Sequence, residues 1–164
     1  MADLFWNFIA RLLARPAVID WLAARANANR DSDITKDGEV YMARGWVFNP
    51  YNRTTRRRQY WWLPVSLRLH DIRLPDSDRH LHDHPWQARS LILRGGYAEQ
   101  LADRPEPIVR WEGTSVKISH NRFHKITEVA AGGALTLVVL GRYRGDWGFW
   151  VGFRKVPYRE YLGL

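Results

Sequence analysis

His80, His82 and His84 stand at alternate positions immediately before Pro85. Residues two apart on a strand project to the same side, so these imidazoles would come within reach of a single ion. A fourth histidine, His124, lies forty residues beyond His84, near the start of another expected strand, where antiparallel packing would bring it alongside. Neutral imidazole suits iron, zinc, copper and nickel, and a three-histidine site leaves positions open for water, dioxygen or substrate. The chain contains no Cys, so any metal must sit on His, Asp or Glu, and disulfides and a cysteine nucleophile are excluded together. Asp83 points to the opposite face by the same alternation and is a poor ligand.

Two other groups of residues carry chemistry. Ser66, Arg68 and His70 alternate with Val65, Leu67 and Leu69, which gives one polar and one apolar strand face. If the polar face lines a barrel, Arg68 and His70 are candidate substrate contacts, Arg68 by a bidentate grip on a carboxylate; if it faces solvent, Arg68 does nothing specific. Arg53, Arg56, Arg57 and Arg58 cluster beside Tyr51, Tyr60, Trp61 and Trp62. Arg56, Arg57 and Arg58 are therefore candidate nucleic-acid contacts, since Arg neutralises phosphate and rings stack on bases. The alternative is a solvated hairpin tip. No nucleophile elbow, P-loop or dinucleotide fingerprint is present, so acyl transfer, nucleotide hydrolysis and nicotinamide chemistry have no sequence support.

The elements that must position these residues follow from patterning. The chain has 164 residues, with nine Trp, seven Tyr and six Phe, enough apolar area for one well-buried core. Residues 1–27 read as an amphipathic helical segment, with Leu4, Phe5, Phe8, Ile9, Leu12 and Leu13 at helical spacing and Pro16 ending one helix or starting another. Residues 28–38 read as a polar linker. From 39 to 164 the pattern changes to short β-runs, expected near 39–48, 61–73, 79–84, 90–98, 115–119, 123–129, 134–142 and 147–154. Turn signals at Pro75-Asp76, Gly95-Gly96, Gly132-Gly133 and Gly145-Asp146 fall between or at the edges of these runs.

Charge and targeting signals bear on partners. The excess of 25 Lys and Arg over 17 Asp and Glu, +8 in all, favours acidic partners such as nucleic acid or an anionic membrane surface. Ala26-Asn27-Ala28 mimics a cleavage site, but Arg11, Arg15, Asp3 and Pro16 oppose a signal peptide. No apolar run reaches the roughly 18 residues of a membrane span. A cytoplasmic location is the expectation.

The histidines also fall into the two motifs of the cupin superfamily, which the chain resembles over roughly residues 65–152. The first motif is G-x5-H-x-H-x(3 or 4)-E-x6-G. His82-Asp83-His84 supplies its H-x-H, Asp76 replaces its first Gly, Gly95 or Gly96 closes it, and its Glu falls on Ala88 or Arg89. The second motif keeps Gly113 and His124, while Ser119, Asn121 and Glu128 replace its Pro, Gly and Asn. His82-Asp83-His84-Pro85-Trp86 and Trp147-Gly148-Phe149 are also similar to small cupin-like proteins of tailed phages and prophages.

The resemblance implies an all-β cupin-type double-stranded β-helix, or jelly-roll barrel, with an N-terminal helical extension. It selects His82, His84 and His124 as the metal ligands and leaves His80 as a candidate extra ligand or supporting partner. Glu99 would replace the missing carboxylate or orient a ligand histidine. Three histidines without the carboxylate resemble the thiol dioxygenases, which implies Fe(II) in preference to Zn, Ni or Mn, a mononuclear non-haem dioxygenase-like activity on a small-molecule substrate, and a homodimer. No catalytic residue beyond the ligands is assigned. The alternatives are a non-catalytic cupin binding module, or a basic accessory protein contacting nucleic acid or membrane.

Overall fold

The computed structural model describes residues 2–36, 38–52, 54–55, 57–76 and 78–164. Two helices open the chain, α1 (Ala2–Leu13) and α2 (Pro16–Ala28), the second starting on the proline that ends the first pattern. Within the 28–38 segment, β1 (Ile34–Lys36) pairs antiparallel with β2 (Glu39–Phe48). A small hairpin of β3 (Tyr51–Asn52) and β4 (Arg57–Arg58) follows. The body is built from β5 (Ser66–Ile72), β6 (Trp86–Leu101), β7 (Ile108–Trp111), β8 (Ser115–Ile118) and β9 (His124–Tyr143). The main antiparallel sheet runs β1-β2-β5-β9-β6-β7, with β8 also on β6. A hairpin of β10 (Gly148–Val151) and β11 (Arg154–Pro157) and a short helix α3 (Tyr158–Leu162) complete the chain.

Side-chain parity divides the sheet into two working faces. Leu67 and Leu69 of β5, Leu91 and Leu93 of β6, and Leu135, Leu137 and Val139 of β9 face the helices, where Trp6, Ile9, Ala10, Ile19 and Leu22 pack on them. Gly45 of β2 permits this contact, because a Cβ there would lie 2.2 Å from the Ala26 carbonyl oxygen of α2. The opposite parity forms the interior. Trp46, Ala88, Val138 and Leu140 cluster at one end, and Ile72, Ile92, Ala134, Tyr97, Ile126 and Val116 at the other.

The second interior cluster shows how the sheet closes. Ile92 and Ala134 precede a bulge along the β6–β9 ladder, Tyr97 and Ile126 lie beyond it, and all four meet in one core. At that bulge the partner of β6 jumps from Ala134, opposite Gly95, to Val129, opposite Tyr97. Gly95 and Gly133 both have positive φ, and a Cβ on Gly95 would lie 2.1 Å from the Gly133 carbonyl oxygen. The glycine pairs expected to separate strands therefore bend two long ones, so the expected runs 123–129 and 134–142 are one strand, β9.

Three further expectations are corrected. Residues 79–84 form no strand; only His82 makes isolated bridges, to Phe149 and His124. The run 61–73 begins at Ser66, because Asn49, buried and with φ 50°, holds the preceding loop by accepting from the Tyr60 amide and donating to the Tyr60 and Val65 carbonyls. The run 147–154 turns at Gly152 into the hairpin of β10 and β11. No helix among the described residues is long and apolar enough to cross a membrane.

Candidate metal centre

His124 opens β9, and its backbone exchanges two hydrogen bonds with His82, each 2.9 Å. The exchange fixes the two residues opposite one another, and His84 follows two positions on. The three rings meet with centroids 4.9 to 5.1 Å apart, and one ligand atom from each lies within 4.8 Å of the others. His84 Nε2 and His124 Nε2 are 2.7 Å apart. Two nitrogens each about 2.1 Å from one ion would be separated by roughly 3 Å, so the spacing fits a shared metal.

A buried acid–base chain sets the tautomer of His124. Its Nδ1 donates to Glu99 Oε1 at 2.7 Å, which places the proton on Nδ1 and turns the Nε2 lone pair into the cluster. Arg110 grips the other carboxylate oxygen through Nε at 3.0 Å and Nη2 at 2.9 Å. Burial pushes the Glu99 carboxyl up, but the hydrogen bonds and charges of His124 and Arg110 together hold it below its ordinary value. Burial, and then the neighbouring His124, lowers His82 to about 4 and His84 well below the usual imidazole range. Neutral His82 and His84 at pH 7 are what a metal requires. The donor set therefore fits a divalent transition metal, and His82 Nδ1 is buried with no hydrogen-bond partner in the protein.

Local packing fixes the turn that carries His82 and His84. Asp83, fully buried, accepts from the Gly148 amide at 2.8 Å and from Lys155 Nζ at 2.6 Å. Asp83, whose carboxylate these bonds occupy, thus has a structural task beside the three histidines. His82 is flanked by Trp147 and Phe149, and the Phe149 ring stacks on Tyr161 of α3 at 3.9 Å.

The other candidates fall as follows. His80 is outside the cluster, its Nδ1 bonded to the Tyr161 hydroxyl at 2.9 Å. Arg68 and His70 line the interior, Arg68 Nε donating to His70 Nε2 at 2.8 Å while Nη1 meets Asp31 at 3.1 Å and the guanidinium lies over Trp46. Burial, followed by the charges of Arg68 and Arg44, keeps His70 well below its usual value. Arg58 is a structural anchor, bonded to Ser66 Oγ and to the Gly141 carbonyl. Arg57 is exposed, and Arg56 lies outside the described residues. Sequence reading missed Arg110, which sits in an ordinary alternating strand, and His120, whose Nδ1 bonds the His84 carbonyl at 3.2 Å.

No protein-family profile matches the chain, and no curated protein matches it. Solved structures do. The polyketide cyclase RemF from Streptomyces resistomycificus is 16% identical, with a TM-score of 0.55 over 84% of this chain and 89% of that one. A cupin-like protein from Thermotoga maritima is 18% identical, with a TM-score of 0.50 over 82% and 93%. HppE in its Fe(II) form is 14% identical, with a TM-score of 0.51 over 70% of this chain; the match spans 57% of HppE. These likenesses show the fold, a cupin β-sandwich with a small helical N-terminus. Inside that fold sits a cluster of three histidines that could hold a metal ion.

Proposed function

We infer that this chain is a metal-binding cupin in which His82, His84 and His124 hold one divalent transition metal, Fe(II) in preference to Zn, Ni or Mn, and that it is a dioxygenase-like enzyme acting on a small molecule. The observation that carries the reading is the convergence of three imidazoles on one point, with His124 Nδ1 held by Glu99. The Fe(II) form of a structure sharing the fold supports the choice of iron. A ferrous ion there would supply Lewis acidity and redox chemistry. His82 and His84 present lone pairs because burial keeps them unprotonated, and Glu99 retains the Nδ1 proton bond of His124 while Arg110 keeps the carboxylate charged. Trp147 and Phe149 flank the ring of His82 and make that side of the cluster aromatic. Arg68 already serves Asp31 and His70, so an acidic substrate would have to replace Asp31 to be gripped by it.

The test is metal analysis of protein purified without a His tag, loaded anaerobically with ferrous iron, beside His124→Ala. About one equivalent that is lost in the variant supports the centre; equal content in both overturns it. Oxygen uptake across a panel of small acids and thiols then tests the enzyme. Bound iron with no uptake removes the oxygenase and leaves a binding module.

A further inference from the structure

The basic, aromatic segment after β2 plays no part in the metal centre, and the fold gives it a definite surface. Phe48 stacks on Tyr60 at 6.0 Å, Tyr60 meets Trp62 at 5.5 Å, and Trp62 meets Trp61 at 6.3 Å, so four rings run in sequence. Trp61 is 77% exposed and Trp62 62%. Rings of this size collapse onto a core unless something holds them out. Here the holder is Asn49, 1% exposed, whose side chain bonds the loop at Tyr60 and at Val65. The loop that carries the rings is thus anchored at both ends.

Cations come to the adjoining end of the sheet from two separate parts of the chain. Tyr51 of β3 stacks on Tyr143, and Arg58 of β4 bonds the Gly141 carbonyl, which docks the hairpin against the end of β9. Exposed Arg57 is thereby brought to the strand end that carries exposed Arg142 and Arg144, where Asp146 accepts from the Tyr143 hydroxyl. A cleft of about 490 Å³ lies at this hairpin, lined by Tyr51, Arg57 and Gln59, and none of the three clustered histidines lines it. All three of these cations are Arg, whose planar fork binds phosphate oxygens in pairs.

We propose that the ring series Tyr60, Trp62 and Trp61, with Arg57, Arg142 and Arg144, is a binding surface for single-stranded nucleic acid. Stacking on exposed rings needs unpaired bases, and a duplex presents none. The chain's charge of +8 complements the backbone.

The experiment is fluorescence anisotropy of a labelled 20-nucleotide oligothymidylate at 50 mM and 200 mM salt, with the same sequence as a duplex, heparin, and vesicles containing anionic phospholipid as competitors. The proposal expects binding that weakens at least tenfold at the higher salt and prefers the single strand. Trp61→Ala with Trp62→Ala should weaken it roughly 5- to 100-fold. Arg57→Gln with Arg144→Gln should lower the salt slope by about 1.4. Circular dichroism and metal content unchanged in these variants show that the fold is kept. Absence of binding at 50 mM salt, indifference to the Trp substitutions, or equal displacement by heparin or vesicles overturns it.

Discussion

Glu99 Oε1 accepts the Nδ1 proton of His124 at 2.7 Å, and both side chains are buried. This bond occupies Nδ1 and leaves Nε2 as the His124 atom that faces His84. Glu99→Gln keeps the shape but removes the charge, and a Gln amide can present a donor to Nδ1 and reverse the tautomer. Metal affinity should fall about 10- to 100-fold, read by competition with a chromophoric chelator. Unchanged affinity would mean that the carboxylate does not act on the centre.

Acid should weaken the metal-free fold earlier than carboxylates alone would allow. His82, at about 4, and His84 and His70, well below the ordinary range, are neutral in the native state, whereas in the unfolded chain each titrates near 6.5. Below about 6.5 the unfolded state binds more protons, so the stability these groups contribute is present above that pH and is lost as pH falls towards 4. Urea midpoints between pH 7.5 and 4.5 should decline across this window, and His70→Gln should flatten the decline. A flat profile in the parent protein would contradict the assignment.

Buried Asp83, between His82 and His84, makes a second ion pair with partly exposed Lys155. Lys155→Met leaves the carboxylate with the Gly148 amide as its remaining bonded partner. The expected loss is about 2 to 3 kcal/mol, below the ~3–5 of a fully buried pair because Lys155 is partly exposed. Asp83→Asn combined with Lys155→Met should recover most of it in urea unfolding.

Gly45 sets how closely α2 approaches the sheet. Gly45→Ala places a methyl into the Ala26 carbonyl, and backbone cannot yield as a side chain would. A loss of about 2 kcal/mol or more is expected by thermal unfolding, while Gly132→Ala, whose added methyl would meet nothing within 4 Å, should cost less despite its positive φ.

Legibility in the sequence differed by region for physical reasons. His82, His84 and His124 were readable because their spacing survives in the fold, although the strand invoked to align the first two does not exist: an isolated bridge and a buried Asp83 position them instead. Glu99 was readable because the motif's own carboxylate is missing and a Glu in a β-run can replace it or orient a ligand histidine, but Arg110 was not, because an Arg in a strand is ordinarily a solvated one. Gly95 and Gly133 were misleading. Paired glycines signal turns locally, and only the long-range β6–β9 register shows that here they bend strands rather than end them. His80 shared the parity of its neighbours, but its ring turns to Tyr161 at the far end of the chain, a contact that no local pattern encodes.

The exchange of backbone hydrogen bonds between His82 and His124 also has a kinetic consequence. The two imidazoles belong to segments some forty residues apart, and the loop between them contains β6, β7 and β8. Closing so long a loop is slow, because its entropy is lost before the contacts it permits are gained. Metal capture during refolding should therefore appear in the last phase rather than the first, which makes a bound ion a timer for completion of the sheet.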